Sequence, residues 1–98
     1  MNASLPPTLT THLVSVIAEP DPCLMARMTG VLARLDVLPV QIYARLRQGV
    51  DDALGGRDAS TAYLEIDLYL AADANDRRER LVALLRAMVG VESVAVSS

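Results

Sequence analysis

The chain has 98 residues, of which 52% are hydrophobic with no Trp or Phe, and it carries a net charge of −3 from nine basic residues, all of them Arg, against twelve Asp and Glu. That length allows one core and one domain, and the acidic balance argues against an electrostatic nucleic-acid binder. No apolar run approaches the ~20 residues of a membrane span, and the one cysteine rules out an internal disulfide and suits a reducing compartment.

Residues 1–10, with Pro6, Pro7 and several Ser and Thr, read as a flexible arm, and residues 11–98 as a single domain. The arm lacks a basic stretch followed by an apolar one, so no secretory signal is expected and a cytoplasmic location is. Residues 12–18 are apolar and β-branched, the pattern of a buried strand. Pro20 and Pro22 end it. Asp21 has the chemistry of a helix N-cap and Pro22 suits the first helical position, where no N–H is needed. Met25, Met28, Leu32 and Leu35 recur at helical spacing, with Arg27 and Arg34 on another face. Gly30 falls mid-helix, where a sheet-facing position would explain it through close packing. Pro39 opens a second extended run over 40–46, apolar at even positions.

Residues 48–60, with Gly49, Gly55, Gly56 and three Asp, signal a long hairpin loop, and Gly55 and Gly56 a turn without phosphate-loop context. The strand at 62–70 alternates strictly: Ala62, Leu64, Ile66, Leu68 and Leu70 on one face, Tyr63, Glu65, Asp67 and Tyr69 on the other. Pairing Leu46 with Leu64 sets Ala44 against Ile66 and Ile42 against Leu68 on the inner face, and Arg45 against Glu65 on the outer one. A one-residue slip would turn every apolar side chain outward. Asp76 and Glu79 have the spacing of a capping box. Leu81, Leu84, Leu85 and Met88 mark the second helix, Gly90 is placed to end it, and residues 91–96 form a last short strand. The order predicts an α+β, ferredoxin-like βαββαβ sandwich: a four-stranded antiparallel sheet, spatial order 4-1-3-2, with two helices on one face.

The segment 13–40, with Asp21, Pro22, Cys23, Leu24 and Met25 at the helix start followed by Arg27, Gly30 and Arg34, resembles the first half of ACT domains. The closing helix and Val-rich strand, RRERLVALLRAMVGVESVAV, are similar to the end of the small regulatory subunits of acetolactate synthase, in their short single-ACT form. The resemblance spans about residues 13–97. It implies a regulatory or interaction module without catalytic residues or cofactor. It also implies a homodimer joined at the sheet edge formed by Val40, Gln41, Ile42, Tyr43, Ala44, Arg45 and Leu46. A large catalytic subunit of an amino-acid biosynthetic enzyme is the implied partner, and a small amino acid the implied effector.

By the same resemblance, Asp21, Pro22, Cys23, Leu24, Pro39 and Val40 would form the ligand site. Free N–H groups at a helix N-terminus suit an α-carboxylate, and the family's Gly after the Pro allows close approach. Here that position is Cys23, and Pro20 and Pro39 stand where polar residues are common. The other reading is that Asp21, Pro22 and Cys23 are simply a helix start. A stand-alone dimeric sensor of an amino acid or other metabolite is the alternative function, and a small ferredoxin-like enzyme a third, although no catalytic set stands out. Cys23 as a reactive thiol is weighed against Asp21 beside it. His12, without a His or Cys nearby in sequence, reads as a strand-end surface residue rather than a metal ligand. Glu65, Asp67 and Tyr69 read as a solvated or partner-covered sheet face. Arg77, Arg78 and Arg80 read as an exposed first turn, with an anion patch as the other possibility.

Overall fold

The computed structural model describes residues 11–48, 62–71 and 74–97. Six elements follow in the expected order: β1 (Thr11–Ala18), α1 (Pro22–Arg34), β2 (Pro39–Gln48), β3 (Ala62–Ala71), α2 (Asn75–Arg86) and β4 (Val91–Ser97). The N-terminal arm and the predicted loop turn at Gly55 and Gly56 lie outside the described residues. The sheet order is β2-β3-β1-β4, every neighbouring pair antiparallel, which is the predicted 4-1-3-2 order read from the other edge.

The hairpin register is the expected one. Ile42 opposes Leu68, Ala44 opposes Ile66, Arg45 opposes Glu65 and Leu46 opposes Leu64. On the helix-covered face the core takes Val14, Val16 and Ala18 from β1, Ile66, Leu68 and Leu70 from β3, and Val94 from β4. Against these pack Leu24, Met28, Val31 and Leu32 of α1 and Leu81, Val82 and Leu85 of α2. The buried arc of α1 is thus turned from the expected one, with Leu24 and Val31 inside and Met25 only partly buried. Leu84 is partly exposed while Val82 is buried, so α2 is turned in the same way.

One consequence of the register differs from expectation. Ile42, Ala44 and Leu46 point to the inner side yet are exposed, Leu46 at 66%, because the helices stand over β1, β3 and β4 and leave β2 uncovered. The edge strand therefore presents an apolar row that one chain alone does not bury.

The helix ends also depart from the sequence reading. α1 closes on a Schellman arrangement: Val37 N–H donates to the Leu32 carbonyl and Asp36 N–H to that of Ala33, with Asp36 at φ 58° where glycine is the usual residue. Arg77 donates to the Asp36 carbonyl and so joins α2 to this turn. α2 starts earlier than the proposed capping box. Ala74 is its N-cap, with no side-chain cap bond, and Asp76 sits in the first turn beside Arg77. α2 ends at Arg86, and Gly90 at φ 96° instead turns the chain into β4.

Gly30 does not face the sheet. It is exposed on α1, and a Cβ there would meet nothing within 4 Å. Gly30→Ala is therefore expected to stabilise the chain by about 0.5 to 1 kcal/mol, since the backbone entropy of Gly is lost without any clash. A urea titration checks this: the midpoint should rise with the slope unchanged, and a fall would mean that this helix face is covered in the folded protein.

Candidate functional site

The loop from β1 into α1 is shaped by Asp21. Its backbone is extended, at φ −117° and ψ 119°, and its Oδ1 accepts from Cys23 N–H at 2.9 Å. Leu24 N–H donates to the Asp21 carbonyl at 3.0 Å, and Pro22 has no N–H to offer. The first three helical positions thus hold no open donor. The place where a ligand carboxylate would dock on this helix is taken by the carboxylate of Asp21 itself.

The loop is also latched to the opposite half of the fold. Arg27 Nη2 lies 3.5 Å from Asp21 Oδ2 and donates to the Val89 carbonyl at 3.0 Å, while Glu19 N–H donates to the Gly90 carbonyl at 2.8 Å. Beneath this latch the Leu24 side chain is fully buried, its Cδ1 3.4 Å from where a Cβ on Gly90 would stand. Of the sequence-derived site residues, Leu24 is therefore a core residue, whereas Pro22 and Cys23 are exposed.

Pro39 and Val40 lie elsewhere. α1 separates them from Asp21 by its 13 residues, roughly 20 Å of helix. Pro39 and Val40 border an apolar groove of about 560 Å³ between α1 and β2, with Thr29, Ala33, Leu38 and Ile42. Asp21 and Pro22 border a separate apolar hollow of about 270 Å³ with Met25, Leu46 and Leu64. Within one chain the two halves of the expected ligand site stay apart. Leu38, at 87% exposure, is the most prominent groove residue, and the sequence reading does not single it out. Its only signal is an apolar residue in a short connection directly before a proline.

The outer sheet face carries the remaining polar residues. Glu65 Oε1 lies 3.3 Å from Arg47 Nε and 3.6 Å from Arg45 Nε, and Asp67 is shared between Arg45 and Ser15 Oγ, the latter at 3.0 Å. The expected acidic stripe is thus internally neutralised, each exposed pair contributing little to stability. Tyr43 and Tyr69 meet edge to face, ring centroids 6.2 Å apart. His12 is half-buried on the helix side and not a surface residue, and among the described residues no group of three His, Cys, Asp or Glu is placed to hold a metal ion. Among them, too, no helix is long and apolar enough to cross a membrane.

No family model and no curated protein matches the chain in sequence. Solved structures do match in shape. The ACT domain of GTP pyrophosphokinase from Chlorobium tepidum, determined in solution, superposes with a TM-score of 0.60 at 18% identity, over 93% of this chain and 89% of that one. The regulatory subunit of aspartate kinase from Thermus flavus gives 0.59 at 18% identity, covering 91% of this chain and 52% of the longer subunit. A putative PII-like signalling protein from Thermus thermophilus gives 0.57 at 16% identity, over 91% of this chain and 87% of that one. Together with the βαββαβ order and the β2-β3-β1-β4 sheet, these likenesses establish that the chain has the ferredoxin-like fold found in ACT domains.

Proposed function

We propose that the chain is a non-catalytic regulatory module of the cytoplasm that works as a two-fold homodimer joined through β2. Its partner in this reading is the large catalytic subunit of an amino-acid biosynthetic enzyme, for which the sequence resemblance names acetolactate synthase. The observation that carries this is the uncovered β2 edge, whose Ile42 and Leu46 are exposed on the side where the helices stop, with Leu38 exposed just before the strand. Free backbone groups and an apolar row together suit pairing with a second copy. The fold neighbours agree with a regulatory role: one is named as a regulatory subunit, another as a signalling protein.

Antiparallel pairing has a further merit. It lays the start of one β2 beside the end of the other, so Pro39 and Val40 of one protomer come to face the Asp21 and Pro22 end of its partner. The two hollows that one chain holds apart would then meet across the interface. The α1–β2 groove, at about 560 Å³, is within the size range of small-molecule sites and favours, as a second reading, a dimeric amino-acid or metabolite sensor.

Affinity capture from the native cells, with sedimentation of the purified chain, tests the proposal. A dimer at tens of micromolar that retains a large thiamine-dependent synthase subunit through a salt wash is the expected result. A strict monomer would remove the edge-paired dimer. A dimer recovered alone would move the reading to the sensor.

A further inference from the structure

Among the described residues two side-chain nitrogens are buried without a hydrogen-bond partner, Nδ1 of His12 and Nη1 of Arg78. The topology brings them to one end of the molecule. His12 shares the inward face of β1 with Val14, and Val14 is paired with Val96 of β4. Val96 in turn borders, with Arg78, Glu79, Val82, Ala83 and Arg86, a cleft of about 280 Å³ between α2 and β4. α2 begins at that same end, because Thr11 pairs with Ala71, shortly before Asn75.

The cleft has the chemistry of an anion site. Arg78 and Arg86 both border it, and a carboxylate or phosphate oxygen is the acceptor that a guanidinium N–H takes best. Arg86 donates from Nη2 to the Val94 carbonyl at 3.1 Å, which holds its guanidinium along the β4 wall, and one such bond leaves further donors on a group that has five. Two arginines against Glu79 leave one net positive charge, which matches a monoanion better than a dianionic phosphate. Val82, Ala83 and Val96 supply a short apolar wall, and the volume lies below the usual range for drug-sized ligands.

We infer that the cleft between α2 and β4 binds a small organic carboxylate, with Arg78 as the anchoring cation, Arg86 as its neighbour and a short alkyl group against Val82 and Val96. β4 is the sheet edge opposite to β2. The site is complete within one chain, so it stands or falls separately from the dimer and from the partner enzyme.

Sodium propionate is the probe, titrated into the full ¹⁵N-labelled chain, with sodium chloride at matched ionic strength and sodium phosphate as comparison arms. Saturable shifts of the Arg78, Val82 and Val96 amides at millimolar propionate are expected, and Arg78→Gln should weaken them by at least about tenfold through loss of a charge-assisted bond. Ala83→Leu, at an exposed position on the cleft wall, should block the site by filling it without touching the core. Shifts that rise linearly and equal those of chloride would overturn the site. Saturation by phosphate but not by propionate would overturn the monoanion assignment, and saturable shifts that persist in both variants would place the carboxylate elsewhere.

Discussion

Replacing Ile42 and Leu46 together by lysine is expected to turn the dimer into a monomer without unfolding it. Both side chains are exposed in the single chain, Ile42 at 39% and Leu46 at 66%, so the core against β1 and β3 does not depend on them. In an edge-paired dimer the same residues would be covered. Full burial of an Ile or Leu contributes roughly 1.5 to 3 kcal/mol. Even half of that for each of four side chains is on the order of 3 to 6 kcal/mol, before the cost of bringing like charges together. At about 1.4 kcal/mol per factor of ten, the dissociation constant should rise by at least about a hundredfold. Sedimentation velocity over a dilution series reads this directly. Thermal unfolding at the lowest concentration serves as the folding control, because there the native protein is itself mostly dissociated. A double variant that still dimerises with native affinity would move the interface to another surface.

The parts of the fold that period and register control are legible in the sequence. The alternation of residues 62–70 and the apolar even positions of 40–46 exclude a one-residue slip, and the pairing observed keeps both apolar sets on one side. Alternation says which side of a sheet a residue faces, however, and not whether a helix stands over that side. Ile42 and Leu46 therefore take the expected side without the expected burial. The helix faces depart for a related reason. Met25 and Leu24 both fit a helical stripe at spacings of three and four, and only the direction in which α1 crosses the sheet decides between them. Asp36 hides the end of α1, because the left-handed position usually needs a glycine. Gly90 misleads in the opposite sense, serving the entry to β4 rather than the end of α2.

The candidate site is legible in its chemistry but not in its geometry. Asp21 reads as a cap and is one, and it also meets Arg27, whose latch onto Val89 joins residues 62 positions apart. Nothing local in the sequence marks such a contact. For the same reason His12 and Arg78, each ordinary in its own segment, become a pair of interest only when β1, β4 and α2 are brought to one end.

The second large effect is expected at Leu24, and it separates a core role from a ligand-contact role. Leu24 is fully buried and fills the space below Gly90, where the β1–α1 loop meets the α2–β4 turn. Leu24→Ala removes that filling from beneath the Glu19–Gly90 and Arg27–Val89 bonds, so the cavity opens under the latch that ties the two halves of the fold together. Large-to-small changes at such positions cost about 2 to 5 kcal/mol, against a total of roughly 5 to 15 kcal/mol for a small domain. The thermal midpoint should fall by about 10 °C or more, since each kcal/mol shifts a domain of this size by roughly 4 to 8 °C. Leu24→Met, which nearly conserves volume, should cost less than about 1.5 kcal/mol. Cys23→Ala, one residue away but exposed, should stay within about 0.5 kcal/mol of the native chain. If Leu24→Ala were as mild as Cys23→Ala, Leu24 would belong to the surface of the helix start, and the buried junction between the two turns would be wrong.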